Sequence, residues 1–279
     1  VLRGALMDAF INTTPFGHMF QLCLVSMALT WLLSVITREY SWVDRWWSIG
    51  PAIYAIYVAW FDGFADLRLN IMAFLVTAWA VRLTFNFARK GGYAPGGEDY
   101  RWAVLRERLG PVGFQALNIT FVSPFQCWLI WAFTAPVHTA WEHRGSELVA
   151  LDFVAIALFV LLWLGETIAD EQMWAFQEDK RRRKEAGEEV TQPFFRGGLY
   201  RFSRHPNYFC EIGQWWVLYI FAIGASGEFL HWTIGGLIAL TILFDGSVRF
   251  GESISSSKYP AYADYQKQVS RIIPWFPKG

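Results

Sequence analysis

The sequence predicts an all-α integral membrane protein with about seven transmembrane helices, forming a single multi-pass domain over residues 1–279. Hydrophobic residues make up 54% of the chain and charged residues only 17%, whereas a soluble domain usually carries about a quarter charged residues. The chain also contains 16 Trp, 11 Tyr and 24 Phe. This abundance is typical of the aromatic belts that form at a lipid–water interface.

Seven apolar windows are each close to the length of about 20 residues that a helix needs to cross the hydrocarbon. They cover residues 16–37, 46–61, 69–88, 115–135, 147–168, 208–225 and 229–244. The second, sixth and seventh windows are short, which indicates tilted or broken helices. Because the backbone must satisfy its own hydrogen bonds in lipid, we expect these windows to form a helical bundle.

The distribution of Lys and Arg favours an odd number of spans. Most of these residues fall in alternate connections and in the tail, at 38–45, 89–108, 180–204 and 249–278. Seven spans place all of those on one side and leave Arg3, Arg68 and Arg144 on the other. Arg82 then lies inside the third span. By the positive-inside rule, the N-terminus is outside and the C-terminus is on the cytoplasmic side.

Several other classes of function lose support. The 24 Lys and Arg balance the 24 Asp and Glu, so net charge gives no indication of nucleic-acid binding. Cys23, Cys127 and Cys210 lie in apolar runs and are too widely spaced for a metal site, so we interpret them as small buried hydrophobic residues. The dinucleotide-binding, P-loop, zincin and serine-hydrolase motifs are absent. We expect neither a metal nor a nucleic-acid partner.

Two acidic residues stand where a membrane helix makes charge expensive. Glu166 and Asp170 are four residues apart at the end of the fifth span, so they share one helical face. Ionisable groups inside spans usually face a cavity or a partner. The pair therefore indicates either the wall of a polar pocket or an interfacial helix end in water.

The densest group of hydrogen-bond donors follows at residues 197–211, within a motif-rich region of about 147–277. Two guanidinium groups, an imidazole and an amide follow a Gly-Gly turn: Arg201, Arg204, His205 and Asn207. Pro206 sets the entry to a helix, whose N-terminus favours anions. A phosphate or a carboxamide needs donors of this kind, and Glu211 lies one helical turn after Asn207. The segment predicts a binding site.

Two further segments allow two interpretations each. The charged run 178–189 is either a solvated loop near lipid head groups or a direct contact for a phosphate ligand. The tail 249–277, rich in Tyr and basic residues, is either a set of membrane-surface anchors or part of the binding site.

The segments GGLYRFSRHPNYFCE at 197–211 and KYPAYADYQKQVSRIIPWFP at 258–277 resemble the C-terminal domain of the steroid 5-alpha-reductase superfamily, and most closely its DUF1295 branch. The segments WAVRL at 79–83 and EDYR at 98–101 also resemble that branch, so the likeness covers about residues 40–277. Sterol C14 and delta-7 reductases share both C-terminal segments, and isoprenylcysteine carboxyl methyltransferases share a looser version.

The resemblance implies a steroid-reductase-like bundle with an NADPH pocket open to the cytosolic side, where a hydride reduces a carbon–carbon double bond of a lipid, usually an enone. It implies that Asn207 holds the nicotinamide carboxamide with Glu211 behind it, and that Asp170 contacts the adenosine part. The remaining cofactor-binding candidates are Arg201, Arg204, His205, Tyr208, Arg249 and Tyr259. Glu211 and Glu166 are the catalytic candidates.

The sequence departs from the steroid reductases at the substrate end. Those enzymes use a Gln–Glu pair on the second span and a Tyr on the third, whereas this second span has no such pair and Trp79 stands at the Tyr position. An indole N–H can donate a hydrogen bond but cannot deliver a proton. These departures disfavour a 3-oxo-4-ene steroid as the substrate.

Three functions therefore remain: the lipid reductase, with membrane lipids and a small lipid substrate as partners; a non-catalytic subunit of a larger membrane assembly, with other membrane subunits; and a methyltransferase-like enzyme. The endoplasmic reticulum, an organellar inner membrane and a bacterial inner membrane all fit the sequence.

Overall fold

The computed structural model describes residues 13–190 and 192–278, and the regular secondary structure of this part of the chain is helical. The helices are α1 Pro15–Thr37, α2 Trp42–Phe61, α3 Leu67–Arg89, α4 Tyr100–Leu117, α5 Pro124–Phe133, α6 Pro136–Glu142, α7 Ala150–Glu185, α8 Pro206–Ser226, α9 Ile234–Lys258 and α10 Tyr262–Gln268. A π-helical turn, Asn118–Val122, joins α4 to α5, and a 3-10 turn, Gly198–Arg201, precedes α8. Arg3 lies outside the described residues.

The helices begin where the sequence supplies capping groups. The Thr14 hydroxyl accepts a hydrogen bond from the Gly17 amide at 3.0 Å, and the Asp66 carboxylate accepts one from the Leu69 amide at 2.8 Å. Such side chains satisfy amides that have no partner inside the helix. Helices α1, α5, α6 and α8 begin with Pro, whose fixed φ and missing N–H suit the first helical turn.

Within the described residues, five helical stretches are long and apolar enough to cross a membrane: Pro15–Thr37, Leu67–Arg89, Tyr100–Glu142, Ala150–Glu185 and Ile234–Lys258. The prediction of an all-helical, multi-pass membrane protein is thus confirmed. The two remaining windows, 46–61 and 208–225, do form helices α2 and α8, but these helices are rich in Trp, Tyr and Gly rather than in Leu and Val. The count of seven and the orientation stay predictions.

Helix α7 extends well beyond the window that predicted it. It continues through the charged run to Glu185, so most of that run is helix rather than the expected loop. Arg182 and Arg183 both bond to Asp179, at 2.7 and 2.8 Å. Ion pairs three or four residues apart support an exposed helical turn, which explains why the helix does not end at the membrane boundary.

The chain divides into two compact units, which are described separately. The first comprises residues 1–155 and 218–239, and the second comprises residues 156–217 and 240–279. The core of the first unit includes Cys23, Val43, Phe114 and Cys127, all almost fully buried. The three cysteines are free and buried, which confirms that they act as small hydrophobic residues.

One end of the first unit carries a fully buried ion pair. The Arg68 guanidinium at the start of α3 donates to both carboxylate oxygens of Asp152 at the start of α7, at 2.8 and 3.0 Å. It also donates to the Ser146 hydroxyl and the Glu147 carbonyl. Each nitrogen of the guanidinium group therefore donates at least one hydrogen bond, as burial of a charge requires.

We expect Arg68→Gln to destabilise the protein strongly, because it leaves the Asp152 carboxylate buried without its cation. Breaking a buried pair costs about 3–5 kcal/mol, equivalent to a melting temperature lower by roughly 10 °C. The measurement is loss of the monodisperse size-exclusion peak on heating in detergent.

Arg144→Gln is the matched control. Its guanidinium lies 3.2 Å from Asp62 but is 45% exposed, so its loss should cost no more than about 1 kcal/mol. Equal melting temperatures for the two variants would contradict the structural role assigned to Arg68.

Candidate functional site

The second unit brings the buried carboxylates of α7 and α8 into a polar cluster. Gly165 allows close approach of the two helices, because a Cβ there would lie 3.0 Å from the Cys210 sulfur. One residue later, the Glu166 carboxylate accepts a hydrogen bond from the Gln214 amide at 2.7 Å. Asp170, one turn further along α7, is only 5% exposed. Both carboxylates are therefore buried on one helical face rather than lying in water at a helix end.

Glu211 is the third buried carboxylate of this unit. It lies in the second turn of α8 and is 4% exposed. Its Oε1 accepts a hydrogen bond from the indole N–H of Trp215 at 3.1 Å. Indole and amide donors stabilise a carboxylate that burial would otherwise penalise.

The 3-10 turn before α8 is anchored to α7 through a glycine. Gly198 has a φ of +52°, and a Cβ at this position would lie 2.3 Å from the Gln172 side-chain oxygen. That oxygen accepts a hydrogen bond from the Leu199 amide at 2.9 Å. Only glycine permits both the backbone conformation and the close approach, which explains the second glycine of the Gly-Gly sequence.

Four polar side chains form a partly buried network that we call the clasp: Arg204, His205, Glu252 and Gln266. The Arg204 guanidinium donates to both carboxylate oxygens of Glu252, at 2.6 and 3.0 Å. His205 Nε2 lies 3.0 Å from Glu252 Oε1, and the Gln266 amide donates to Glu252 Oε2 at 3.0 Å. Arg204 also donates to the backbone carbonyls of Gln266 and Val269. The clasp thereby fastens the start of α8 to α9, α10 and the tail.

An aromatic cluster lies beside the clasp. Phe194, Tyr259, Tyr262 and Tyr265 pack against one another, and the Tyr265 hydroxyl donates to the Tyr200 carbonyl at 2.5 Å. Burial raises the pKa of the Tyr200, Tyr262 and Tyr265 hydroxyls. These groups therefore remain neutral hydrogen-bond donors at physiological pH.

Asn207 and Arg201 differ from their neighbours in the clasp. Asn207 lies in the first turn of α8 and is half-buried, and within the described residues its carboxamide has no hydrogen-bond partner. The Arg201 guanidinium is exposed and lies 6.0 Å from the Phe202 ring. Tyr208 packs between the rings of His205 and Phe244.

The remaining candidates lie at the edges of this unit. Arg249 is exposed and forms an ion pair with Asp245 at 2.6 Å. The Tyr259 hydroxyl accepts a hydrogen bond from Lys180 at 3.2 Å. Burial raises the pKa of this hydroxyl, but the hydrogen bond from Lys180 and the charges of Lys180 and Lys258 outweigh burial and lower the net pKa.

The comparison with known proteins covers most of the chain, including the segments that form the clasp. A family model described as "Protein of unknown function (DUF1295)" matches residues 30–269. The chain belongs to the DUF1295 family. This family is part of the steroid 5-alpha-reductase-like group, which confirms the resemblance seen in the sequence. The chain is also similar to the Schizosaccharomyces pombe "Uncharacterized protein C594.04c", with 34% identity over 282 residues, covering 96% of this chain and 82% of that protein. No solved structure matches.

Sequence reasoning missed two members of the clasp. The acceptor Glu252 and the donor Gln266 are not among the candidate residues, although both lie in the motif-rich region. The available signal is Arg204 at a helix start, because a guanidinium group requires a carboxylate partner when it is buried. Gln172 was missed for a different reason, because its contact with Gly198 depends on a turn that spacing does not reveal.

We expect Glu252→Gln to release the tail, because Arg204 then lies buried without a carboxylate. Breaking such a pair costs about 3–5 kcal/mol, and local opening rises with that loss of stability. Tryptic cleavage after Lys267 and Arg271, followed by mass spectrometry, should accelerate by at least about tenfold.

Asp245→Asn on the same helix is the control, since the partners of Asp245 are exposed or half-exposed. Its cleavage rate should stay close to that of the parent. A Glu252→Gln protein that is cleaved no faster than Asp245→Asn would show that the clasp does not hold the tail.

Proposed function

We propose that this protein is an NADPH-dependent membrane oxidoreductase that reduces a carbon–carbon double bond of a lipid. The observation that carries the proposal is the Asn207 carboxamide, which has no partner among the described residues at the first turn of α8. A primary amide offers one acceptor and two donors, the complement of the nicotinamide carboxamide. The family supports the same assignment.

The donors around Asn207 fit the rest of a dinucleotide. The exposed guanidinium of Arg201 suits a pyrophosphate, which guanidinium groups bind through two parallel hydrogen bonds. Arg249 and Tyr259 carry donors that supplement it, and Asp170 would accept hydrogen bonds from the ribose hydroxyls. In this proposal Arg204 and His205 line the cofactor less directly, because their donors already hold Glu252.

NADPH, when bound, supplies the hydride that adds to one carbon of the double bond. The protein's own task is to orient the two reactants and to exclude water. Glu211 and Glu166 are the candidate catalytic groups, since both carboxyls are buried and each is held by a donor on α8. Either can hold a proton for the second carbon, which completes the addition of two hydrogens.

Asn207→Ala tests this function directly. The variant leaves the amide of the cofactor without a partner, which costs about 1–3 kcal/mol. We therefore expect NADPH affinity to fall roughly tenfold to a hundredfold. Quenching of the intrinsic Trp fluorescence by NADPH measures the affinity in detergent, and the melting temperature should remain unchanged.

Arg144→Ala is the control for this experiment, and it should bind NADPH as the parent does. Unchanged affinity in Asn207→Ala would remove Asn207 from the cofactor site. A parent protein that binds no NADPH would overturn the reductase proposal and favour the accessory-subunit alternative. Tight binding of S-adenosylmethionine instead would favour the methyltransferase-like alternative.

We further propose seven spans, with the N-terminus outside and the C-terminus on the cytoplasmic side. Contacts within the first unit support an arrangement in which successive helix connections lie at opposite ends of the bundle. The connections that follow α1 and α3 meet where the Tyr40 amide donates to Glu98 at 2.7 Å. The connections that follow α2 and α6 meet where the Gly145 amide donates to the Asp66 carboxylate at 2.7 Å. The basic connections that predict the cytoplasmic side are those of the first pair.

Single exposed cysteines test this topology. The native thiols are buried, so a membrane-impermeant maleimide should label only the introduced residue. In sealed inside-out vesicles we expect labelling of Glu189→Cys and protection of Glu228→Cys, and in right-side-out vesicles the reverse. Labelling of both positions from the same side would exclude an odd number of spans between them.

A further inference from the structure

The tail carries a solvent-facing surface of an unusual composition, which we call the tail surface. Its tip consists of Ile273, Trp275 and Phe276, which are 68%, 70% and 77% exposed. Single exposed apolar residues are ordinary, but adjacent large ones usually mark an interaction site.

The backbone beneath this tip is fixed by hydrogen bonds. The Trp275 amide donates to the Phe202 carbonyl at 2.9 Å, and the Lys278 amide donates to the Gln268 carbonyl at 2.8 Å. The Ser203 hydroxyl donates to the Ile272 carbonyl at 2.7 Å. A segment held at these points presents its aromatic side chains outward because its conformation directs them there, and not because it is unfolded.

A cavity of about 250 Å³ lies directly beside the tip. Its charged lining is entirely cationic, with Arg204, Lys267, Arg271 and Lys278, and Trp275 and Phe276 form its apolar rim. Arg204 is neutralised by Glu252, and Arg271 pairs with Asp245 at 2.8 Å, so Lys267 and Lys278 carry most of the outward-facing charge. Lys267 pairs with Asp264, but both side chains are more than 70% exposed, and such a pair contributes little.

We propose that the tail surface binds anionic phospholipid: the aromatic tip enters the lipid interface and the cationic cavity receives the headgroup phosphate. Aromatic side chains prefer this depth of the bilayer, and juxtamembrane Lys and Arg are attracted to anionic head groups. The surface follows α9, a candidate span, and the short helix α10, and the ion pair between Arg271 and Asp245 holds it beside α9. A bilayer is therefore within reach of this segment.

Charge complementarity selects the class of lipid. Residues 258–278 carry Lys258, Lys267, Arg271 and Lys278 against the single carboxylate of Asp264. A zwitterionic headgroup would place a cation beside these groups, whereas an anionic headgroup adds only the phosphate charge that they attract.

The experiment uses the full chain with Trp275→Cys, labelled with an NBD fluorophore. The native thiols are buried, so the label is specific. The protein is placed in nanodiscs of phosphatidylcholine and phosphatidylglycerol, one of which carries a nitroxide at equal mole fraction. We expect stronger quenching by nitroxide phosphatidylglycerol than by nitroxide phosphatidylcholine. Lys267→Gln with Lys278→Gln should reduce the ratio of the two, by up to about fivefold for each charge.

Phe229→Cys is the matched control. Phe229 is 77% exposed and no Lys or Arg occurs between Arg204 and Arg249, so both nitroxide lipids should quench its label equally. Equal quenching by the two nitroxide lipids at position 275 would overturn the proposal that the cavity prefers an anionic headgroup. No quenching there by either lipid would overturn membrane contact and indicate a protein partner. Ile273→Cys provides a second labelling position if Trp275→Cys does not yield a monodisperse protein.

Discussion

The second unit depends on the electrostatic pairing of Arg204 with Glu252. Both side chains are less than a tenth exposed, and a buried charge is tolerated only when its partner and its hydrogen bonds are all in place. The pairing determines where α8 begins relative to α9, and the two carbonyls bound by Arg204 determine where the tail turns. The contacts of the Arg204 guanidinium group therefore determine where the Asn207 amide and the cations of the tail surface lie.

The three buried carboxylates on α7 and α8 place a second constraint on this unit. Removing a carboxylate from water is costly unless donors replace the solvent, and the Gln214 amide and the Trp215 indole supply such donors to Glu166 and Glu211. Hydrophobic side chains of similar size would stabilise a membrane helix without the cost of removing a charge from water. Ionisable groups inside membrane helices generally mark a functional pathway, which supports the reaction site proposed above.

The parts of the structure that sequence could predict are those governed by local periodicity. Glu166 and Asp170 share a buried face because they are four residues apart on a helix, and the three cysteines are buried because they lie in apolar runs. The apolar window ends well before the C-terminal end of α7. Hydropathy detects only the apolar part of a helix, whereas ion pairs at Asp179 extend α7 beyond that part. The role of Glu252 could not be predicted, because its partner Arg204 lies 48 residues away and such a contact leaves no periodic signal in the sequence.

The segment Arg204-His205-Pro206-Asn207 divides its polar groups between two tasks. Arg204 and His205 direct their donors to Glu252, whereas the Asn207 carboxamide makes no hydrogen bond within the described chain. This division has a physical reason. An amide binds a ligand with less loss of conformational entropy when the backbone that carries it is already rigid. The contacts of Arg204 and His205 with Glu252, immediately before the helix, provide that rigidity. The sequence spacing is thus a structural requirement: the anchoring residues must precede the proline, and the open amide must follow it.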